Sequence, residues 1–214
     1  MAITASVLVA RHRQVYDGLA AEYDRRVAVL AEVNERTAVW FASHLLPGSR
    51  LLDVGCGPGA AVQTYARLGF ATTGIDISKE MIDRARRRSP QTDFVVGDVM
   101  AHSFPGNFGA VHAFAFLHLF PAAEVPVVLA RLRRLLMPYE GRMLVSTTWS
   151  AESSEGVSAK ADFQELPQRF RKHWRREEWE TALTTAGFAI VSRRDVPDPF
   201  GKLWMNLIVR RDPS

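Results

Sequence analysis

The sequence predicts an α/β fold: a seven-strand, mostly parallel sheet with an antiparallel last strand, helices on both faces and a helical cap in front. Three observations carry this. Short apolar runs alternate with stretches of helical period through the middle of the chain, which is the pattern of βαβ units. A glycine-rich turn, LLDVGCGPG at residues 51–59, follows the first of those runs. Two further strand-like runs close the chain, separated by a Pro-Asp-Pro turn. With 214 residues, 47% apolar and 23% charged, there is material for one core. A single domain over 1–214 is expected, divided into a cap (1–46), a central unit (50–149) and a closing part (150–214).

Residues 1–46 read as helical, because Val15, Leu19, Tyr23, Val27, Leu30, Trp40, Phe41 and Leu45 fall near helical spacing and Pro47-Gly48 stops them. Then RLLDVG, ATTGID, DFVVGD and GAVHAFAF read as strands, with helices near 60–68 and 79–88 between the first three. After Pro121 a helix carries Val125, Val128, Leu129, Leu132, Leu135 and Leu136 on one stripe, with Arg131, Arg133 and Arg134 off it. RMLVSTTW is the fifth strand. Ser150 to about Gln168 is a polar stretch, within which AESSEGVSAKAD reads as a mobile surface loop, with Gly156 in a loop lid. A helix near 175–186 ends at Gly187, and the last two strands form a hairpin around Pro197, Pro199 and Gly201.

Composition excludes several classes. One cysteine, Cys56, allows no internal disulfide and suits a cytoplasmic setting. The opening MAITASVLVARHR has no basic residue before its short apolar patch, which predicts neither export nor a membrane anchor. A net charge of +4 is too small, and its arginines too scattered, to favour nucleic acid. RARRR and RFRKHWRR read as solvated helix faces rather than phosphate clamps.

In an open parallel sheet, ligands sit beyond the carboxyl ends of the strands. There Gly55, Gly57 and Gly59 allow tight turning and close backbone approach. Asp53, two residues earlier, repels a pyrophosphate and attracts a ligand that carries an ammonium or a sulfonium. The spacing also departs from the dinucleotide pattern G-x-G-x-x-G, since the third glycine comes one residue early.

These residues, with YDGLAAEYDRR, GIDIS, GDVM, FAFLHLF and AGFAIV, resemble the class I S-adenosylmethionine-dependent methyltransferases, in particular their small-molecule branch. The resemblance implies a Rossmann-like sheet and S-adenosylmethionine as cofactor. It places Asp53, Gly55, Cys56, Gly57 and Gly59 around the methionine and adenosine parts, and Asp76 against both ribose hydroxyls. Ile77 and Met81 would flank the adenine, Asp98 would accept from its amino group beside Val99 and Met100, and Ala115 would lie by the cofactor. Tyr16 and Tyr23, seven apart on one helix face, would fold over the methionine end.

Methyl transfer from a sulfonium is an in-line displacement, and a base is needed only when the acceptor must lose a proton. His118, at the same carboxyl edge, is the candidate; His112 within its strand and His102 in a loop rank lower. AFLHL replaces the Asn/Asp-Pro-Pro-Tyr pattern of base-amino methylation, no cysteine is placed as a nucleophile for cytosine, and acidic ligands for a metal are missing from GAVHAFAFLHLF. A metal-independent enzyme acting on an oxygen, nitrogen or carbon of an apolar or aromatic small molecule is expected, as monomer or homodimer. Trp149, Phe163 and Phe170 are the expected substrate contacts. Alternatives are a cofactor-binding fold used for regulation or non-methylating chemistry, an RNA methyltransferase, and a nicotinamide oxidoreductase. Two departures from the family, Phe108-Gly109 where Phe-Asp is usual and Pro138-Tyr139-Glu140-Gly141 for Pro-Gly-Gly, touch turns rather than cofactor positions.

Overall fold

The computed structural model describes residues 5–159 and 168–212. Its centre is a seven-strand sheet built from β1 (Arg50–Val54), β2 (Ala71–Asp76), β3 (Asp93–Val96), β4 (Ala110–Phe114), β5 (Arg142–Thr148), β8 (Phe188–Pro197) and β9 (Leu203–Arg211). Their spatial order is β3-β2-β1-β4-β5-β9-β8. The first five pair in parallel, and β9 runs antiparallel to both β5 and β8. The order reverses between β1 and β4, so the first strand-to-helix loop opens onto the switch point.

Alternation along the strands separates two cores. Leu52, Val54, Val111, Ala113, Met143, Val145, Leu207 and Val209 pack in one cluster with α5 (Val125–Leu135) and α6 (Arg176–Thr185). Leu51, Ala110, Leu144 and Ile208 face the other way, against Phe41 of α2 (Ala31–Ala42) and Tyr65 of α3 (Ala60–Arg67). A third, smaller cluster joins α3 to α4 (Lys79–Arg88) through Val62, Ile82, Ala85, Phe94 and Cys56. Burial of both sheet faces explains why these strands are near-continuous apolar runs. The α5 stripe is buried as its period predicts, and Arg131, off the stripe, donates from Nε to the Val99 carbonyl at 3.0 Å.

The cap is two helices rather than one continuous reading: α1 (Ala5–Val29) and α2, with a break at Leu30, whose own side chain caps nothing. Asp17 and Asp24 fasten α1 to α4. Asp17 accepts from the buried Ser78 hydroxyl at 2.6 Å, and Asp24 pairs with Arg84 and Arg88. Ser78 is itself the N-cap of α4, accepting from the Met81 N–H at 3.1 Å.

Two sequence expectations are corrected. The polar stretch expected to be a mobile loop contains a strand, β6 (Ser154–Ala159), and RFRKH, expected on a helix face, is strand β7 (Gln168–His173). They pair antiparallel as a separate ribbon in register from Ser154 opposite His173 to Ala159 opposite Gln168. Backbone pairing of the ribbon, not an apolar core face, holds these polar residues extended, so hydropathy carried no sign of it. The last pair is the hairpin expected, with a register shift between Ile190 and Ser192.

Candidate functional site

Local chemistry fixes the glycine loop. The N–H groups of Gly55 and Cys56 both donate to the Ile75 carbonyl, at 2.9 and 3.1 Å, and the Gly57 N–H donates to Asp76 Oδ2 at 2.9 Å. Asp76 Oδ1 accepts from the Ser78 N–H at 2.9 Å. Gly59 begins α3 at φ +80°, where an added Cβ would stand 2.8 Å from the Ala85 Cβ. That glycine lets α3 and α4 approach, and it is not among the residues lining the cavity.

Above the loop lies a cavity of about 540 Å³, bounded by the carboxyl edge of the sheet, α1 and β7. Small-molecule sites commonly span about 300–1,000 Å³. Of the predicted residues, Tyr16, Tyr23, Asp53, Gly55, Cys56, Gly57, Asp76, Ile77, Met81, Asp98, Val99, Met100, Ala115 and His118 all line it. Asp53 and Asp76 sit at the ends of β1 and β2, and Asp98 two residues past β3, where Oδ1 accepts from the Met100 N–H at 2.9 Å. Ala115, directly after β4, is held at φ +54°, the one non-glycine described residue in the left-handed region. His118 lies on the 3-10 turn Leu117–Leu119 and is 2% exposed. Trp149 is elsewhere, 49% exposed and bridged to Trp174. Phe170 is buried outside the lining, and Phe163 falls outside the described residues.

Burial shapes the electrostatics. It pushes the Asp76 carboxyl up to about 6, against the opposing pull of the N–H groups of Ser78 and Gly57. Burial likewise raises the Cys56 thiol well above its ordinary range, with Asp76 and Asp53 adding to the shift, so this cysteine is a packing residue. Asp53 is 3% exposed and takes His112 Nδ1 on Oδ1 at 2.7 Å. From His112 a row of rings leads outward: it stacks on Phe114 with centroids 6.0 Å apart, and Phe114 stacks on Trp204 at 4.6 Å. Trp204 Nε1 donates to Asp198 Oδ2 at 3.0 Å, which fixes the indole.

Sequence reasoning ranked His112 below His118 and passed over Phe114, Trp204, His12, Arg169 and Arg171, all of which line the cavity. For some, a signal existed. His12 stands four residues before Tyr16, one helical turn along the same face, and Phe114 is two residues from His112 on one strand face.

A family model described as "Methyltransferase domain" matches residues 51–139, the segment that builds the glycine loop, the three aspartates and β4. Malonyl-[acyl-carrier protein] O-methyltransferase of Serratia marcescens is 31% identical over 134 residues, covering 63% of this chain and 51% of that protein. Ubiquinone biosynthesis O-methyltransferase of Xanthomonas campestris is 37% identical over 108 residues, covering 48% and 44%. The chain thus spans about half the length of the curated relatives it matches. Among solved structures, 1,6-didemethyltoxoflavin-N1-methyltransferase of Burkholderia thailandensis, solved with 1,6-didemethyltoxoflavin and S-adenosylhomocysteine, superposes with a TM-score of 0.79 at 23% identity, covering 99% of this chain and 92% of that one. Magnesium protoporphyrin IX methyltransferase of Synechocystis, solved with S-adenosylmethionine, gives 0.72 at 18% identity, covering 99% of both. At those identities the likeness is one of fold, and it extends over the cap as well as the sheet. Over residues 51–139, the segment that carries its glycine loop and aspartates, this chain is thus similar to methyltransferase domains, and its fold is that of structures solved with S-adenosylmethionine or S-adenosylhomocysteine.

Proposed function

We propose that this chain binds S-adenosylmethionine along the ends of β1 to β3 and transfers its methyl group, without a metal ion, to an oxygen, nitrogen or carbon of a small-molecule acceptor. The observation that carries the reading is the convergence of Asp53, Asp76 and Asp98 with the Gly55–Gly57 backbone on one cavity under α1. The donor set suits the group. Each Asp76 oxygen has spent one lone pair on a backbone N–H and keeps another, a match for two vicinal ribose hydroxyls. Asp98 has Oδ2 left for an amino group, with Ile77, Met81, Val99 and Met100 as apolar walls for a purine. Asp53, already steadied by His112, supplies negative charge for the amino-acid end.

When bound, the cofactor supplies an electrophilic methyl group. The protein's part is to orient and to exclude water. Leu8, Val9, Tyr16, Tyr23 and Val27 of α1 cover the cavity as one helical stripe, and Tyr16 and Tyr23 meet edge to face with centroids 5.6 Å apart. Aligning two reactants in this way is worth about 7–11 kcal/mol of barrier. Phe114 and Trp204 offer a flat apolar wall to the acceptor. His118 takes the acceptor's proton where one must leave.

Calorimetry with S-adenosylhomocysteine is the direct test. One site per chain with a Kd of micromolar order is expected, and Asp98→Asn should weaken it about tenfold. Folded wild-type protein that gives no binding at about 100 μM ligand would remove the reading.

A further inference from the structure

The cavity is electrically divided. Carboxylates occupy the strand ends, while the opposite wall carries guanidinium groups from β7. Arg169 and Arg171, two apart on that strand, both line the cavity, and Phe170 between them does not. Arg169 is 4% exposed and donates from Nη1 to the Tyr16 hydroxyl at 2.7 Å, while Arg171 donates to Thr148 Oγ1 at 2.5 Å. Arg26 and Lys202 add positive charge from α1 and from the start of β9, and outside the three aspartates Glu124 is the one carboxylate among the described lining residues. On α1, beside Arg169, stands His12, 7% exposed, whose ring lies 6.2 Å from that of Tyr16. Its Nε2 has no hydrogen-bond partner among the described residues, and His12 lines the same cavity.

Burial first, and the Arg169 charge next, hold the His12 imidazole down to about 4, so it is neutral at ordinary pH, with a backbone hydrogen bond to Phe170 on one side of the ring. A neutral ring that donates on one side presents a lone pair on the other. Such a group is a poor proton sink and a good hydrogen-bond acceptor, which separates its part from that of His118. An orphaned buried acceptor beside a buried guanidinium group is costly unless a ligand arrives with the complementary pattern. That pattern is an anion for the arginines and, on the same molecule, a donor for His12.

We propose that His12, Tyr16, Arg169 and Arg171 form the acceptor subsite, and that the acceptor is a planar organic acid whose carboxylate is held by the two arginines and whose hydroxyl or N–H donates to His12 Nε2. This deepens the methyltransferase reading and rests on it. Planarity follows from the stacked Phe114 and Trp204 on the neighbouring wall. Bidentate guanidinium contacts with a carboxylate explain why the wall uses arginine rather than lysine.

The test is calorimetry on protein saturated with S-adenosylhomocysteine, using 4-hydroxybenzoate and indole-3-carboxylate against their neutral isosteres 4-hydroxybenzyl alcohol and indole-3-carbinol. At least one acid is expected to bind about tenfold or more tightly than its isostere. Arg171→Gln should abolish that preference with S-adenosylhomocysteine affinity unchanged, and Arg169→Lys should recover only part of what Arg169→Gln loses. His12→Phe should weaken the hydroxyl acid more than benzoate. Equal binding of acids and isosteres, no binding of either acid, or a preference that survives Arg171→Gln overturns the proposal. Because the saturating ligand is titrated first, its failure to bind would refute the methyltransferase reading itself, whereas normal binding with no acid preference refutes the subsite alone.

Discussion

Lowering the pH should loosen cofactor binding and tighten the ligand-free fold, and both effects come from Asp76. Burial raises its carboxyl to about 6, above an unfolded value near 3.9. Below about pH 4 the group is protonated in both states. As pH rises through 4 to 6 the unfolded chain gives up its proton first, so the ligand-free protein loses stability across that window, by an amount of order 3 kcal/mol that is complete above about 6. In the proposed binding mode ribose hydroxyls would donate to the ionised carboxylate, so ligand affinity should run the other way. At pH 5 only about a tenth of the group is ionised, which predicts a Kd about tenfold weaker than at pH 8, or about 1.4 kcal/mol. Titration calorimetry with S-adenosylhomocysteine at pH 5, 6, 7 and 8, beside thermal unfolding of ligand-free protein, reads both slopes. Asp76→Asn keeps the shape and removes the charge. It should flatten the pH dependence and cost about 1.5–3 kcal/mol of binding at pH 8, the usual worth of hydrogen bonds to a charged group. Affinity that is level from pH 5 to 8 in the wild type, or a pH dependence that persists in Asp76→Asn, would refute the reasoning.

Three further expectations follow from single contacts. Gly59→Ala should lower unfolding free energy by about 2 kcal/mol or more, since it adds left-handed strain to a 2.8 Å collision with Ala85; Gly57→Ala at φ +52°, with nothing within 4 Å of its Cβ, should cost only the strain, about 1–2 kcal/mol. Equal melting temperatures for the two would contradict this. His112→Phe removes the Nδ1 partner of buried Asp53 and should destabilise by about 1–3 kcal/mol while also weakening S-adenosylhomocysteine binding, measured by denaturant titration and calorimetry. With an accepted substrate, His118→Ala should slow release of S-adenosylhomocysteine about a hundredfold at unchanged cofactor affinity. A change under threefold would leave His118 a packing residue.

The central βαβ units and the three aspartates were legible because their causes are local. Period-two apolar runs, a glycine turn and an acidic residue at a strand end each sit within a few neighbouring residues. The ribbon was not, for a physical reason: a strand whose arginines face a cavity has the same hydropathy pattern as one facing water. RFRKH therefore read as surface, although Arg169 and Lys172 are both buried. Lys172 finds Glu178 at 2.8 Å, six residues away in sequence but on another element, a pairing that no spacing rule announces. Trp149 shows the converse error. An aromatic after a strand suggests a site wall, but pairing with β9 and the bridge to Trp174 carry it to the surface. The break at Leu30 has no glycine or proline to mark it, so α1 and α2 merged into one predicted span.

The row of rings ending in Trp204 has an optical consequence. Of the five tryptophans, Trp174 and Trp179 are packed together inside and Trp149 is half in solvent, whereas Trp204 stands on the cavity wall against Phe114. In the proposed binding mode its emission should respond to a ligand lying against that face, a built-in indicator of occupancy. The difference spectrum between wild type and Trp204→Phe isolates that signal without attaching a dye.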